Sequence, residues 1–370
     1  MNRLILIGNG FDLAHGMATQ YGDFMQDYIF NAFGLASKLN FYEDDLIAIQ
    51  GKTYFTHFGI DWQSGLREYL DYFHNTNFLP LLRNMPNDSD GQPLPSHFKV
   101  TVKSPFLEHL LLNCKPGHWV DIENEFYSQL KVILNHKNEE EKVTKLKELN
   151  FALGKIIGKI EAYLTKLPKP PAVDRNKILF HSDIKEMEVP LEALERDTPP
   201  EQTYIVNFNY TDTISQYFNE RTNPDVRINF IHGKLNDPDN RLIFGFGDEL
   251  DEDYGRMEKE RIKGYFEYIK SFWYFKTRNY RDLIRFIDGK AFQVFIMGHS
   301  CGLSDRTMLN MIFEHVNCVS IKIFYYQDGD SNNYFDLTQE IARHFSNKEM
   351  MRRKIVSEDL CERMAQHNNK

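Results

Sequence analysis

The stretch that decides the fold is Arg3-Leu4-Ile5-Leu6-Ile7-Gly8-Asn9-Gly10-Phe11-Asp12, near the start of the 370-residue chain. The apolar run at residues 4–7 predicts a strand that is buried on both faces, as in a parallel sheet. Gly8 and Gly10 let the backbone turn sharply, and a helix that begins there directs unpaired N–H groups towards a phosphate. With Gly16 the spacing is G-x-G-x5-G, so a tight strand-to-helix turn explains these glycines as well as a nucleotide site does.

The composition is that of a folded protein with a large core. Its 29 Phe and 19 Tyr exclude a disordered chain, and 370 residues suit one elaborated domain or two. The net charge of −9 gives no general attraction for nucleic acid, and the basic clusters at residues 259–263 and 276–278 suit solvated helix faces. The N-terminal apolar run is too short for a signal peptide, and no run approaches the ~20 residues that cross a membrane. We therefore expect a cytoplasmic protein without a membrane partner.

Short runs rich in β-branched and aromatic residues predict the strands of a mainly parallel sheet. They occupy residues 4–7, 203–208, 227–231, 241–244, 292–297 and 320–326. Helical spacing marks residues 24–33, 62–73, 308–316 and the charged amphipathic stretch 139–167. The buried side of that last helix is expected to be formed by Leu146, Leu149, Leu153, Ile156, Ile157 and Ile160. Pro168 ends it, because proline lacks the N–H that a helix needs.

These patterns predict an α/β fold, a doubly wound and mainly parallel Rossmann-like sheet with large helical insertions. The core is assigned to residues 1–50 and 200–346, and residues 51–199 to a helical insertion. Residues 251–288 carry a long helical pattern and form a second helical insertion, and residues 347–370 form a C-terminal tail. Ligands of open α/β sheets bind beyond the carboxyl ends of the strands, so the candidate site lies there.

Cysteine usage argues against a zinc site or a thiol-exchange site. Cys114, Cys301, Cys318 and Cys361 lie far apart and include no C-x-x-C pair. We expect them to be buried as small hydrophobic residues.

Polar residues also follow the second predicted strand. Asn207, Asn209 and Asp212 come at the end of the strand predicted at residues 203–208. The alternative for Thr211 or Asp212 is capping of the next helix, whereas Asn209 precedes the cap and is expected to face the crevice.

His232 ends the next strand and is followed by Gly233. Histidine suits proton transfer near neutral pH, and glycine leaves room for a ligand. The alternative is a turn histidine that bonds to the backbone.

The last candidate turn is Gly298-His299-Ser300-Cys301-Gly302-Leu303-Ser304-Asp305. Gly298 and Ser300 are placed to contact a ribose or a phosphate, and Ser304 or Asp305 suits the N-cap of the helix predicted at residues 308–316.

Two rival enzyme classes also fit parts of the sequence. Residues 298–302 match the G-x-S-x-G of a hydrolase nucleophile elbow, with Ser300 as nucleophile and His315 or His344 later in the chain, although no Asp-then-His order supports a triad. The other rival is a metal-dependent phosphoesterase or nuclease, in which strand-end carboxylates bind Mg²⁺. Its ligands would be Asp12, Asp212, Asp248 and Asp305, which lack the usual paired spacing.

Taken in order, the four turns resemble the sirtuin-like NAD-binding fold of bacterial anti-phage NAD-hydrolysing proteins. Residues 5–16, 119–123, 206–211 and 298–305 together resemble the AbiH family of bacteriophage abortive-infection proteins, over nearly the whole chain. The first turn departs from the sirtuin-like pattern, because this chain places Asn9 and then Phe11-Asp12 where that pattern usually has a small residue and then a serine. The four-cysteine zinc site of protein-deacetylating sirtuins is absent, which argues against deacetylation.

The resemblance implies an antiviral effector that binds NAD and hydrolyses its nicotinamide–ribose bond, with no metal. It implies that Asn209 positions the substrate, that His232 is the base and that Asp12 stabilises the oxocarbenium-like state. The residues expected to contact NAD are Gly8, Asn9, Gly10, Asn207, Gly233, Gly298, Ser300, Ser304 and Asp305. A phage component as trigger and a second copy of the chain are further partners that this interpretation leaves open. The non-enzymatic alternative is a nucleotide sensor that uses the same pocket without turnover.

Overall fold

The structure is a computed structural model, and it describes residues 1–51, 77–83, 98–113, 121–190, 192–193, 195–218 and 223–366. These residues belong to two compact units. Unit 1 comprises Met1–Met17, Leu167–Arg256 and Tyr268–Lys370, and unit 2 comprises Ala18–Lys166 and Met257–Glu267. Within the described residues, no helix combines the length and the apolar character that crossing a bilayer requires. The helix predicted at residues 62–73 lies outside the described residues.

The described strands and helices have these bounds along the chain. The strands are β1 Asn2–Ile7, β2 Phe41–Glu43, β3 Ile47–Gly51, β4 Phe98–Val102, β5 Thr203–Asn207, β6 Val226–Phe230, β7 Phe292–Met297, β8 Cys318–Tyr325, β9 Gln327–Asp328, β10 Ser331–Asn332 and β11 Glu362–Arg363. The α-helices are α1 Asn9–Ala14, α2 Tyr21–Leu39, α3 Phe78–Arg83, α4 Pro105–Asn113, α5 Ile122–Leu134, α6 Glu139–Lys166, α7 Asp174–Phe180, α8 Glu252–Glu260, α9 Lys270–Trp273, α10 Asn279–Gly289, α11 Arg306–Phe313, α12 Tyr334–Ala342 and α13 Lys348–Lys354. Short 3₁₀ turns lie at Glu186–Glu188, Ile214–Tyr217, Tyr274–Lys276, Leu303–Asp305 and Glu358–Leu360.

Unit 1 is built on a six-stranded sheet in which every neighbouring pair is parallel. Its strand order is β11-β8-β7-β1-β5-β6. The register places Ile7 of β1 beside Asn207 of β5 and Met297 of β7, so the carboxyl ends of these strands are level. The parallel sheet predicted from the apolar runs is confirmed, and residues 292–297 form β7 with the predicted bounds.

Both faces of this sheet are covered by apolar side chains. Leu4 and Leu6 of β1 belong to one hydrophobic cluster, whereas Ile5 and Ile7 belong to another. The alternation follows from the two-residue period of a strand, and every residue of β1 is buried. Each Leu or Ile that is withdrawn from water contributes about 1.5–3 kcal/mol, which explains why the continuous apolar run forms a central strand.

Unit 2 contains a small antiparallel sheet that the sequence patterns did not indicate. β3 pairs with β2 and with β4, and residues 52–97 separate β3 from β4, so local periodicity could not reveal the pairing. The helix predicted at residues 139–167 is confirmed as α6, which ends one residue earlier, at Lys166. Its predicted apolar side is buried except for Ile157, which is half-buried.

The strand predicted at residues 241–244 is wrong. The N–H of Ile243 donates to the carbonyl of His232 at 2.8 Å, and Gly245 follows with φ of +139°, a conformation that suits glycine alone. Ile243 and Phe244 are buried as predicted, but their backbone belongs to a loop.

The long helical pattern at residues 251–288 is not one helix. It is divided among α8, α9, the 3₁₀ turn at Tyr274–Lys276 and α10, of which only Gly289 lies beyond it. The backbone adopts left-handed conformations at Arg261 (φ 56°) and Gly264 (φ 111°), and these end the helical run after α8.

The cysteines that the structure describes behave as buried apolar residues. Cys301, Cys318 and Cys361 are buried and free, as predicted. Burial raises the pKa of Cys318 to about 12, so its thiol stays protonated and unreactive at neutral pH. Cys114 lies outside the described residues.

Candidate active site

The glycine turn after β1 packs directly against the turn after β7. The N–H of Gly10 donates to the carbonyl of Gly298 at 2.8 Å, and a Cβ on Gly8 would lie 2.5 Å from the Cα of His299. Gly298 has φ of +71°, and a Cβ there would lie 2.1 Å from the nitrogen of Phe11. The contact between two backbones therefore requires all three glycines, whether or not a phosphate binds. Their contact with a nucleotide stays a prediction.

Asn207 and Asn209 shape the turn after β5. The amide nitrogen of Asn207 donates to the carbonyls of Asn209 and Thr211 at 3.2 Å, and its Oδ1 accepts from the N–H of Asn209 at 3.2 Å. The side chain of Asn207 therefore holds the loop in shape. Asn209 reaches further, because its Nδ2 donates to the carbonyl of Gly8 at 3.0 Å. Asn209 thus joins the β5 turn to the β1 turn.

Asp12 is a buried carboxyl group in α1. It accepts a hydrogen bond from the hydroxyl of Thr211, so the alternative in which Thr211 caps the next helical turn is wrong. Burial is the largest influence and raises the pKa of Asp12 to about 6, against hydrogen bonding from Thr211, Thr213 and Asn209. Asp12 is therefore able to gain a proton within about one pH unit of neutrality.

His232 is buried at the end of β6. Its Nε2 lies 3.2 Å from the hydroxyl of Tyr274 and 3.3 Å from Oδ1 of Asp305. Burial is the largest influence and lowers the pKa of His232 to about 4; the nearby Lys270 ammonium also lowers it, whereas Asp305 raises it. The imidazole is therefore neutral at pH 7 and able to accept a proton.

Asp305 is the centre of a buried charged cluster. The ammonium of Lys270, which is 1% exposed, donates to Oδ1 of Asp305 at 2.8 Å. Burial would raise the pKa of this carboxyl group, but Lys270, and then His232 and His299, hold it well below its usual range. Asp305 occupies the N-cap position of α11, as predicted, but its side chain makes no capping hydrogen bond.

His299 is the second imidazole at this carboxylate. Its Nδ1 accepts a hydrogen bond from the N–H of Cys301 at 3.0 Å, so the hydrogen of the neutral ring is on Nε2. That nitrogen lies 3.6 Å from Oδ2 of Asp305. Cys301 has φ of 53°, and this left-handed conformation turns its N–H back towards the imidazole.

Phe208 connects the two halves of the site. Its ring centroid lies 5.1 Å from that of His232 and 4.1 Å from that of His299, in edge-on geometry. Its N–H donates to the carbonyl of Ile7 at 2.9 Å, which fixes the ring at the carboxyl edge of the sheet. The structure thus brings the turns after β1, β5, β6 and β7 together at one edge of unit 1.

Other predicted contact residues have structural duties or lie apart from this cluster. Gly233 has φ of +88°, and a Cβ there would lie 2.2 Å from the carbonyl oxygen of Arg241. Ser300 is exposed, whereas Ser304 is buried. Asn9 is the first residue of α1. The nucleotide contacts assigned to these residues stay predictions.

The serine-hydrolase alternative gains no support from this geometry. The left-handed residues of the turn are Gly298 and Cys301 rather than Ser300. Among the described residues, Ser300 makes no hydrogen bond to a histidine, while His315 lies 3.1 Å from Asp288 and His344 donates to the carbonyl of Cys301 at 2.7 Å.

The four carboxylates of the metal alternative do not form one cluster. Three of them lie beside cations of the protein: Asp212 beside Lys234 at 3.3 Å, Asp248 beside Arg306 at 3.2 Å and Asp305 beside Lys270. In the described part of the chain, no three His, Cys, Asp or Glu side chains are grouped so as to hold a metal ion.

Sequence reasoning missed Lys270, Tyr274 and the role of His299. Lys270 and Tyr274 lie in α9 and the 3₁₀ turn after it, where the surrounding charges predict a solvated face. A usable signal was the bulky apolar pattern around Lys270, since Ile269 and Tyr274 are both buried. His299 belongs to the turn at residues 298–305, but the local sequence does not indicate that its ring faces Asp305.

A family model described as Bacteriophage abortive infection AbiH matches residues 4–327 of the chain. The match includes all four turns and both imidazoles of the site. No curated protein and no solved structure matches the chain.

Proposed function

The chain belongs to the AbiH family of bacteriophage abortive-infection proteins, and we propose that it acts in phage defence by binding NAD and hydrolysing the nicotinamide–ribose bond. The observation that carries the proposal is that the turn bearing Asn209 bonds to the turn that leads to Asp12 in α1 and, through Phe208, contacts the neutral imidazole of His232.

The strand order of unit 1 supports a dinucleotide ligand. Numbered by their sequence within this sheet, the strands follow the order 3-2-1-4-5-6, which is found in sheets that bind dinucleotides where the order reverses. In this chain that position lies between β1 and β7, beside the packed turns of Gly10 and Gly298. We propose that NAD lies above these turns and extends towards His232.

The proposed reaction breaks the bond between ribose C1′ and the nicotinamide nitrogen. Nicotinamide leaves with the bonding electron pair, water adds to C1′, and Nδ1 of His232 accepts the proton that the water loses. Positive charge builds on the ribose as the bond breaks, and the carboxylate of Asp12, when ionised, stabilises that charge. Asn209 holds the sugar. The products are nicotinamide and ADP-ribose.

The test is release of free nicotinamide from NAD⁺ by the purified full-length protein. His232→Ala should lower release by roughly 10²–10⁴-fold, the usual contribution of a positioned base, while NAD⁺ binding measured by calorimetry survives. Asn209→Ala should also impair release. The matched control is His136→Ala, which changes a half-exposed histidine of unit 2 and should leave release unchanged.

A phage challenge of cells that express each variant connects the chemistry to defence. Loss of protection by His232→Ala and Asn209→Ala, but not by His136→Ala, is the expected result. If the folded wild type binds NAD⁺ but releases no nicotinamide, even with extract of infected cells, the protein is a nucleotide sensor. Full protection by a folded His232→Ala protein removes the proposed catalytic role.

A further inference from the structure

We infer that Lys270 and Asp305 are positioning residues, which keep the hydrogen of His232 on Nε2 and leave Nδ1 as its only proton-accepting nitrogen. The inference rests on the proposed function only in using His232 as the base. It gives Asp305 a different task from the nucleotide contact predicted from sequence, and it adds Lys270, which no sequence motif contained.

The contacts of Asp305 place one carboxylate between three nitrogen groups. Oδ1 accepts from Lys270 at 2.8 Å and lies 3.3 Å from Nε2 of His232, while Oδ2 lies 3.6 Å from Nε2 of His299. All four side chains are at least nine-tenths buried. Water therefore competes little for these contacts, and each has a large influence on the others.

The chemistry of the acceptor assigns the ring hydrogens. An ionised carboxylate only accepts hydrogen bonds, so the imidazole nitrogen that faces it carries the hydrogen. For His299 the same assignment follows independently, because its Nδ1 already accepts from the N–H of Cys301. For His232 it leaves Nδ1 with a lone pair, and within the described residues no hydrogen-bond partner occupies that atom.

The charges of the cluster favour a neutral His232. The charges of Lys270 and Asp305 cancel, so a proton added to His232 would create a net buried charge at high cost in desolvation. The titratable groups that face His232 are Asp305, Lys270, His299 and Tyr274. Lys270 and Tyr274 come from residues 270–274, and His299 and Asp305 come from the turn at residues 298–305. Without Lys270, Asp305 would instead attract a proton onto His232.

A second buried ion pair supplies a matched control. Lys322 on β8 lies 2.6 Å from Glu188, and both side chains are as inaccessible as those of the Lys270 pair. Glu188 also accepts from Gln293 at 3.0 Å, and among the residues that the structure describes neither Lys322 nor Glu188 has an imidazole partner. Loss of Lys322 should therefore destabilise unit 1 without changing His232.

The experiment follows the histidine side chains by ¹⁵N NMR in the full-length protein, with His232→Gln identifying the signal. In wild type we expect a neutral His232 with hydrogen on Nε2, unchanged between pH 8 and 5. Lys270→Met should raise the titration midpoint of His232 by more than about one pH unit, as an unpaired carboxylate nearby does. Asp305→Asn should give a mixture of ring tautomers and lower kcat for NAD⁺ by about 10²-fold with little change in KM. Lys322→Met should leave both the ring tautomer and the titration midpoint of His232 unchanged.

Two results overturn the inference: hydrogen on Nδ1 of His232 in wild type, or an unchanged midpoint in folded Lys270→Met. If neither single variant folds, the double variant Lys270→Met with Asp305→Asn removes both charges together. Mixed tautomers in that protein support the positioning role, and a pure Nε2–H form contradicts it. The NMR result does not depend on turnover, so it stands even if wild type fails to cleave NAD⁺.

Discussion

Asp12 and Asp305 are two buried aspartates at the same edge of one sheet, and their surroundings affect them in opposite ways. Asp12 is surrounded by hydroxyl and amide groups, and burial raises its pKa to about 6. Asp305 faces an ammonium and two imidazoles, and Lys270 holds its pKa well below the usual range. Burial is similar in both places, so the nearby cation decides the difference.

This contrast separates two chemical capabilities within one site. Asp305 is a fixed anion that orients its neighbours, whereas Asp12 exchanges a proton close to physiological pH. Sites that divide acid and base work between two carboxyl groups commonly rely on such opposed environments. The strand-end position alone predicts neither role, since both residues follow the same kind of glycine turn.

Changing each carboxylate to an amide gives the sharpest test of the comparison. Asp305→Asn removes the carboxylate that faces the buried Lys270 ammonium and should lower the free energy of unfolding at pH 7 by about 3–5 kcal/mol. Asp12→Asn removes a charge that burial already disfavours and should cost little or even stabilise. Urea unfolding measures both. Equal losses in the two variants would show that the environments do not differ as described.

The backbone contact between the glycine turns after β1 and β7 can be disrupted without changing any charge. Gly8→Ala inserts a Cβ 2.5 Å from the Cα of His299, where backbone must move, and should cost about 3 kcal/mol. Gly302→Ala is the matched control, because its nearest neighbour would lie 3.7 Å away. Thermal unfolding of the two variants measures the difference. A stable Gly8→Ala protein would contradict the close packing of the two turns.

The buried His232 should make the free energy of unfolding decrease in acid. The pKa of His232 is about 4 in the folded protein and about 6.5 in the unfolded chain, so the unfolded state binds the proton first. Stability present above pH 6.5 is therefore lost as pH falls from 6.5 to 4, by up to about 3 kcal/mol. His232→Gln should flatten this part of the stability curve. An unchanged slope would mean that the pKa of His232 does not change on folding.

Asp12 should act in the opposite direction over an overlapping range. Its pKa rises on folding, so its stabilising contribution is complete below about pH 4 and is lost as pH rises through about 6, by about 3 kcal/mol. In Asp12→Asn this loss disappears, and the gain over wild type should grow from pH 4 to pH 7. Denaturant titrations across that range measure it. A constant difference between the two proteins would indicate an ordinary pKa for Asp12.

The sequence predicts the sheet better than it predicts the site. Continuous apolar runs such as residues 292–297 have few uses besides a strand covered on both faces, so β1 and β7 were found directly. Gly8 and Gly10 were ambiguous, because a phosphate and a neighbouring backbone both exclude a Cβ, and only the long-range contact with Gly298 separates the two causes.

Lys270 shows why the rest could not be found. Its burial depends on Asp305, which lies 35 residues later and shares no local pattern with it. His232 was identified from its strand-end position, but its neutral state depends on Lys270, Asp305 and His299 together. The strand prediction for residues 241–244 was wrong for a related reason. Burial of Ile243 and Phe244 does not determine which partners their backbone groups bond to.

The strand order of the sheet also determines when β1 can pair during synthesis of the chain. β1 is made before its partners β5 and β7, which begin at Thr203 and Phe292. At 5–20 residues per second, the ribosome needs on the order of 15–60 s to extend the chain from β1 to β7. Asp305 is made later still, so during that interval the nascent chain carries an unpaired apolar strand and no complete site. An activity that depends on this edge of the sheet is therefore absent until Asp305 has been synthesised.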